Sequence, residues 1–251
     1  MKRILSIVLC AASVAAFGEE TTVTNVAFSL YPVTSRSKET IVAISLRGMD
    51  GEPVAVSDLV KTANLTAGDK LYTFENGVYK EWTLEDGAWV GANKKYTMDK
   101  TGQLVAAEGD DPSTVRKEVG SGIWLVRKDV PTAAFTFYLY GKPDDKPQTA
   151  IVGGSEETPT INLVGNPTPD EVTLTAQMFT GATGGDRIEV PDGNGAFGRS
   201  VYTYNGTESK WKTTDPTTHK RVEGYPKIPA NQGFWYVSTG SGFKISWSAA
   251  N

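Results

Sequence analysis

The chain carries one pattern twice. Ile44, Leu46, Gly48, Gly68, Asp69, Lys70 and Leu71 recur 117 positions later as Ile161, Leu163, Gly165, Gly185, Asp186, Arg187 and Ile188. Trp82 and Trp89 are matched by Tyr204 and Trp211, seven apart in both places. Each copy closes on one phrase, Gly122-Ile123-Trp124-Leu125-Val126 in the first and Gly233-Phe234-Trp235-Tyr236-Val237 in the second. What recurs is glycine for tight backbone and aromatic rings for filling volume. These are the needs of a small β-domain that must close on itself. The pattern therefore constrains fold more tightly than chemistry.

Between the recurring positions the sequence alternates. Thr24 to Leu30, Glu39 to Leu46, Ala134 to Tyr140, Thr160 to Val164, Glu171 to Thr175, Ser200 to Tyr204 and Phe243 to Trp247 carry β-branched or aromatic residues at two-residue spacing. The 26 glycines and 13 prolines interrupt them too often for βαβ units. The expectation is an all-β protein of two related, mostly antiparallel sandwich or barrel-like domains from an internal duplication. Helix should be limited to short turns at Ser57 to Lys61 and Thr175 to Phe179. Asp86-Gly87 and Asn205-Gly206 should turn two hairpins, because both dipeptides accept the positive φ of a type I′ turn. Residues 19–142 then form the first domain, 143–158 a linker rich in Pro, Gly and Asp, and 159–251 the second. Part of the linker, Ala150-Ile151-Val152, has strand character.

The N-terminus reads as an export signal over residues 1–18. Lys2 and Arg3 precede an apolar run, Ile4 to Val14, too short to span a bilayer, and Ala16-Phe17-Gly18 fits a cleavage site before Glu19. A lipid anchor at Cys10 is disfavoured by Leu9, where a small residue is required. The expected location is periplasmic, cell-surface or extracellular, with no membrane span. Cys10 is the one cysteine, so the mature chain has no disulfide and no thiolate chemistry. Loss of Lys2 and Arg3 makes the formal charge of −4 two units more negative, and no basic cluster opposes it. Nucleic acid is therefore excluded as a partner.

The order of motifs resembles that of uncharacterised secreted β-proteins of Gram-negative bacteria. The segment Asn162-Leu163-Val164-Gly165-Asn166-Pro167 is followed by a Gly-Asp-basic-apolar step, an aromatic hairpin and the Gly-Phe-Trp closing at Gly233-Phe234-Trp235. The first copy departs, with Ser45-Leu46-Arg47-Gly48-Met49-Asp50 in place of the asparagine form. The resemblance implies export and a β-fold, and no activity.

Catalytic candidates weaken on inspection. Asp69 and Asp186 are the recurring carboxylates, and two acids could serve glycoside hydrolysis at about 5 Å or 6.5–9.5 Å apart. Each follows a glycine at the head of an apolar run, where a carboxylate accepts turn amides. His219, the one histidine, lies among polar neighbours without a nucleophile motif. Gly193-Asn194-Gly195-Ala196-Phe197-Gly198 matches a dinucleotide fingerprint but leads into a strand instead of a helix. With Asp192 it lacks the acids of a calcium loop. Asn64-Leu65-Thr66 and Asn205-Gly206-Thr207 match glycosylation acceptors. No catalytic residue, cofactor or metal site is assigned.

The aromatics divide into two expectations. Trp89, Trp124, Trp211 and Trp235, with Gly68, Asp69, Gly122, Gly185, Asp186 and Gly233, form a structural repeat set. Tyr79, Trp82, Tyr202, Tyr204 and Tyr236 are candidate ligand-binding residues, since flat aromatic faces stack sugar rings or anchor proteins. The expected function is a non-catalytic secreted or cell-surface binding or structural component. Its partner is a protein or a glycan, with self-association available through an open strand edge. The alternatives are a carbohydrate-binding module and a carboxylate-dependent glycoside hydrolase.

Overall fold

Alternation along the strands separates their side chains between two faces, one of them turned to a core, and two layered halves result. The computed structural model describes residues 27–33, 38–60, 65–75, 78–91, 95–98, 104–107, 111–129, 135–144, 147–191 and 199–247. The export signal, Asp192 to Gly198, Asn64 and the Lys100-Thr101-Gly102 turn lie outside them.

The first half contains β1 (Ala27–Val33), β2 (Glu39–Ala43), β3 (Val54–Ala55), a 3₁₀ turn (Val56–Val60), β4 (Lys70–Glu75), β5 (Val78–Glu85), β6 (Ala88–Gly91), β7 (Lys95–Met98), β8 (Leu104–Ala107), β9 (Arg116–Lys117), β10 (Gly122–Val126) and β11 (Phe135–Gly141). Its main sheet has the order β2-β10-β4-β5-β6, and β1 pairs with β11, β3 with β9 and β7 with β8. The second half adds β12 (Gln148–Ile151), β13 (Thr160–Gly165), β14 (Val172–Thr173), a 3₁₀ turn (Ala176–Phe179), β15 (Arg187–Pro191), β16 (Arg199–Asn205), β17 (Lys210–Thr214), β18 (Arg221–Glu223), β19 (Lys227–Ile228), β20 (Gly233–Ser238) and β21 (Phe243–Ser246). Its main sheet runs β13-β20-β15-β16-β17-β18, and β12 pairs with β21 and β14 with β19. Every one of these pairings is antiparallel. The protein is all-β.

Each half has its own core. In the first, Val42, Leu71, Trp82, Leu84, Trp89, Ile123 and Leu125 project from the main sheet onto Val54, Val56, Leu59, Val115 and Leu139. In the second, Val164, Ile188, Val190, Trp211, Phe234 and Tyr236 pack on Ile151, Leu174, Phe179, Ile228, Ile245 and Trp247. A buried tryptophan removes on the order of 200 Å² from water, about 5 kcal/mol of transfer free energy. Trp89 and Trp211, both buried, are therefore major contributors to their respective cores.

The halves correspond in order and register. Gly122 faces Ala43 across β10–β2, and Gly233 faces Gly165 across β20–β13. Lys70 meets Val126 and Thr83, as Arg187 meets Val237 and Thr203. Leu84 lies opposite Trp89, as Tyr204 lies opposite Trp211. Among the described residues, the β7–β8 pair has no counterpart in the second half and the β17–β18 pair none in the first.

Register corrects the sequence alignment in two places. The offset of 117 holds for Gly68 to Leu71, but the partner of Gly165 is Ala43, not Gly48. The position equivalent to Trp82 is Tyr202, not Tyr204, since these face Leu71 and Ile188 respectively. Within 143–158, β12 overlaps the strand expected at Ala150 to Val152 and pairs with the last strand. Asp86-Gly87 forms the expected two-residue turn, with φ of 46° and 80° between Glu85 and Ala88. At Asn205-Gly206 the turn is longer: Asn205 pairs with Lys210, and the positive φ falls on Ser209. Asn205 Oδ1 there accepts the amides of Thr207 and Glu208.

Candidate functional site at the seam between the halves

The faces of the two main sheets that turn away from their own cores meet each other. On β2, β4, β5 and β10 that face carries Ile41, Phe74, Tyr79 and Trp124; on β13 and β20 it carries Leu163 and Trp235. The Trp124 and Trp235 rings meet edge to face at 5.8 Å between centroids. Backbone crosses the seam as well. Ser121 bridges Val164 and Val42 bridges Gln232. The Gly165 amide donates to the Gly120 carbonyl at 2.8 Å, and the Ala43 amide to the Asn231 carbonyl at 2.9 Å. Under the register equivalence these contacts exchange with one another, so the seam has approximate two-fold symmetry. Gly120 and Asn231, at equivalent positions, both adopt positive φ (88° and 60°).

Glycine is required here for proximity. A Cβ on Gly122 would lie 2.9 Å from the Val164 carbonyl oxygen, on Gly165 2.4 Å from Ala43 Cβ, and on Gly233 2.1 Å from Ile41 Cγ2. The glycines of the closing phrases thus admit the other half, which is the role of glycine where two backbones approach. Trp124 and Trp235 accordingly belong to the seam, not to either half's core.

Charge in the seam departs from the symmetry. Arg199 lies over the Trp235 ring at 3.9 Å and donates to Glu189 Oε2 at 2.7 Å. Its equivalent in the first half is Tyr79, whose hydroxyl is buried; burial raises that phenol's pKa, and Arg199 opposes the rise. Glu39, at the start of β2, is raised above the ordinary carboxylate value by desolvation, opposed by the attraction of Arg199 and by Trp124. Beside it Tyr72 packs on Trp124 at 4.9 Å and donates to Glu81 at 2.7 Å. Burial first, then Glu81, pushes the Tyr72 phenol up to about 12.

The recurring acids are structural. Asp69 and Asp186 are each 1% exposed. Asp69 accepts the amides of Thr66 and Lys128, both at 2.8 Å, and lies 2.8 Å from Arg127 Nε. Asp186 accepts the amides of Thr183 at 2.9 Å and Thr239 at 2.7 Å, together with the hydroxyls of Thr239 at 2.8 Å and Tyr236 at 2.6 Å. Gly68 and Gly185 precede them with positive φ (92° and 99°), as the turn demands. The asparagine motif has the same character. Asn162 exchanges two hydrogen bonds with the Val152 backbone, and Asn166 donates to the carbonyls of Asp170, Ile228 and Pro229.

The candidate ligand-binding aromatics do not form one surface. Trp82 is fully buried and its indole donates to Thr73 Oγ1 at 3.0 Å, while Tyr236 is fully buried against Asp186. Both are withdrawn from any surface role, because strand parity turns them inward. Tyr202 and Tyr204 are half-buried against the second core, and Tyr79 is half-buried in the seam. His219 sits in an exposed turn with φ of 55°. Among the described residues, no three His, Cys, Asp or Glu side chains are grouped to hold a metal, and no helix is long and apolar enough to cross a membrane.

Glu189 and Arg199 are not legible as site residues, since their pairing depends on the register of β15 against β16. The usable signal was glycine inside a strand pattern, at Gly122, Gly165 and Gly233, which marks a close backbone approach. Comparisons of the chain with known protein families, curated proteins and solved structures find no match.

Proposed function

We propose that this protein is an exported, non-catalytic β-protein acting as a binding or structural component at the cell surface, its halves descended from one duplicated unit. The carrying observation is the duty of the recurring residues. Asp69 and Asp186 are engaged by turn amides, Trp89 and Trp211 by the cores, and Gly122 and Gly233 by the seam. A two-carboxylate hydrolase needs its acids open to one cleft, and acids at 1% exposure in separate turns argue against that use. Export rests on the sequence of residues 1–18 and on the resemblance to secreted Gram-negative β-proteins.

A glycan partner is favoured by one feature. Tyr72 and Trp124 are adjacent, half-buried rings on the sheet face that also carries the seam, with Glu81 and Lys70 alongside for hydroxyl groups. Purified protein screened on a glycan array and incubated with bacterial polysaccharides tests both readings. Binding without release of reducing sugar is expected, and Tyr72→Ala should abolish any glycan signal. Sugar release that disappears in folded Asp69→Asn or Asp186→Asn would overturn the non-catalytic reading. Mass spectrometry of exported protein should find Glu19 as its first residue.

A further inference from the structure

We propose that Lys117 and Glu75 are a cross-linking pair, whose amine and carboxyl condense to an amide that ties β9 to β4. The two halves differ at this place. Lys117 faces Val54 across β9–β3, and Ile228 faces Val172 across β19–β14. One position of the repeated unit thus holds a fully buried isoleucine in one half and an amine of 6% exposure in the other. The isoleucine shows what packing alone requires there. A buried ion pair is often no more stabilising than apolar residues of similar volume, so stability does not account for the amine.

Its neighbours suit a nucleophile better than an ammonium. Lys117 Nζ donates to the Phe74 carbonyl at 2.6 Å and lies 3.9 Å from Glu75 Oε1. That oxygen is enclosed and accepts no hydrogen bond among the described residues. Parity along β4 turns Glu75 to the side of Leu71 and Thr73, both fully buried, at the rim of the first core. Lys80, on the neighbouring β5, reaches the other oxygen, Oε2, at 3.2 Å. The two lysines differ in their access to water, with side chains 26% exposed for Lys80 and 7% for Lys117. Burial lowers the pKa of Lys117, against the attraction of Glu75. A desolvated lysine is a common form of the nucleophilic one.

The step balances without a co-reactant. Transfer of one proton from Lys117 to Glu75 Oε1 gives an amine and a carboxylic acid, and removes both charges from the enclosed pair. The Nζ lone pair attacks Cδ while Lys80 holds the negative charge that develops on Oε2. A nitrogen proton moves to Oε1, the Cδ–Oε1 bond breaks and water leaves. An amide remains, and nothing is oxidised or reduced. Groups fixed side by side by a fold react far faster than free ones, because their encounter entropy is already lost. Such a bond constrains the unfolded chain as a disulfide would, in a protein whose one cysteine is Cys10.

The test is peptide mapping of the full chain, exported from a Gram-negative host, purified folded and held until its mass no longer changes. Trypsin should release peptides 71–80 and 117–127 joined as one species, one water lighter than their sum. Whole-chain mass alone would mislead, since an N-terminal Glu19 can also lose water. Lys117→Met and Glu75→Ala should each abolish the joined species, and Lys117→Met should fold, since isoleucine serves the same place in the other half. Recovery of 71–80 and 118–127 only as separate peptides from folded wild type would overturn the proposal. So would a joined species that survives Lys117→Met, or one that carries Lys80 in place of Lys117.

Discussion

Tyr236→Phe isolates one oxygen at the centre of the second half. The hydroxyl donates to Asp186 Oδ2 at 2.6 Å, inside a site that is closed to solvent. Its removal leaves the ring in place against Phe179, stacked at 5.5 Å with planes 5° apart, so packing is unchanged. A hydrogen bond to a charged group contributes about 1.5–3 kcal/mol. Asp186 keeps the Thr183 and Thr239 donors and is not left orphaned, which sets the expected loss near the middle of that range, about 2 kcal/mol. For a chain of this size each kcal/mol is worth about 2–4 °C, so the midpoint should fall by about 4–8 °C. The control is Tyr225→Phe. Its hydroxyl donates to Glu223 at 2.7 Å, nearly the same bond, but in the open. Solvent replaces that bond, and no measurable shift is expected. Urea unfolding followed by tryptophan fluorescence, with unchanged slope, is the assay. Equal shifts in the two variants, or no loss in Tyr236→Phe, would refute the argument that burial gives this hydrogen bond its weight.

Arg127→Ala should cost about 3 kcal/mol in the same assay, because it strips the cation from Asp69 while two amides remain; a loss under about 1 kcal/mol would show that the amides alone suffice. Gly165→Ala drives a Cβ to within 2.5 Å of Ala43 Cα, where backbone cannot withdraw, and should cost about 2–3 kcal/mol or more. Gly206→Ala, whose nearest neighbours lie at 3.2 Å and 3.3 Å, is its mild comparator, and equal losses would remove the proximity argument. Glu39→Gln addresses pH. Burial raises the folded-state pKa of Glu39 above the ordinary 4.5, so ionisation costs stability as pH rises through the folded value. The Gln variant should be the more stable at pH 7, and the advantage should vanish below about 4.5, where wild type is protonated in both states. Wild type proving more stable at pH 7 would show that the Arg199 attraction exceeds the desolvation.

Alternation and glycine made the β-architecture readable, and the Gly-Asp step marked both turns because positive φ and an amide-accepting carboxylate belong together there. Strand parity alone also assigns the aromatic faces. Tyr79 and Trp82 are three residues apart on one strand, so they point to opposite sides and could not serve one ligand surface. Tyr236 is likewise opposed to Trp235. The five-residue slip in aligning β2 with β13 arose because apolar residues spaced by two match equally well at several offsets. Only the pairing of Ala43 with Gly122 and of Gly165 with Gly233 fixes the register. The seam was hidden for another reason. Gly122, Gly165 and Gly233 resemble bend glycines in one dimension, and what they accommodate is distant in sequence.

The two halves agree in backbone register and differ in their side chains. Where the seam is backbone, equivalent positions make equivalent contacts, down to the shared positive φ of Gly120 and Asn231. Where side chains line it, equivalent positions are unlike: Ile161 stands where the first half has Glu39, and Tyr79 where the second has Arg199. The Asp turns behave differently. Both keep the buried carboxylate, but one recruits Arg127, just past β10, and the other Tyr236, on β20, from positions that are not equivalent. A turn inside one half needs only some donor, so any neighbour that supplies one will do. A backbone contact at the seam tolerates no such exchange, because a Cβ at Gly122, Gly165 or Gly233 would run into the opposite half.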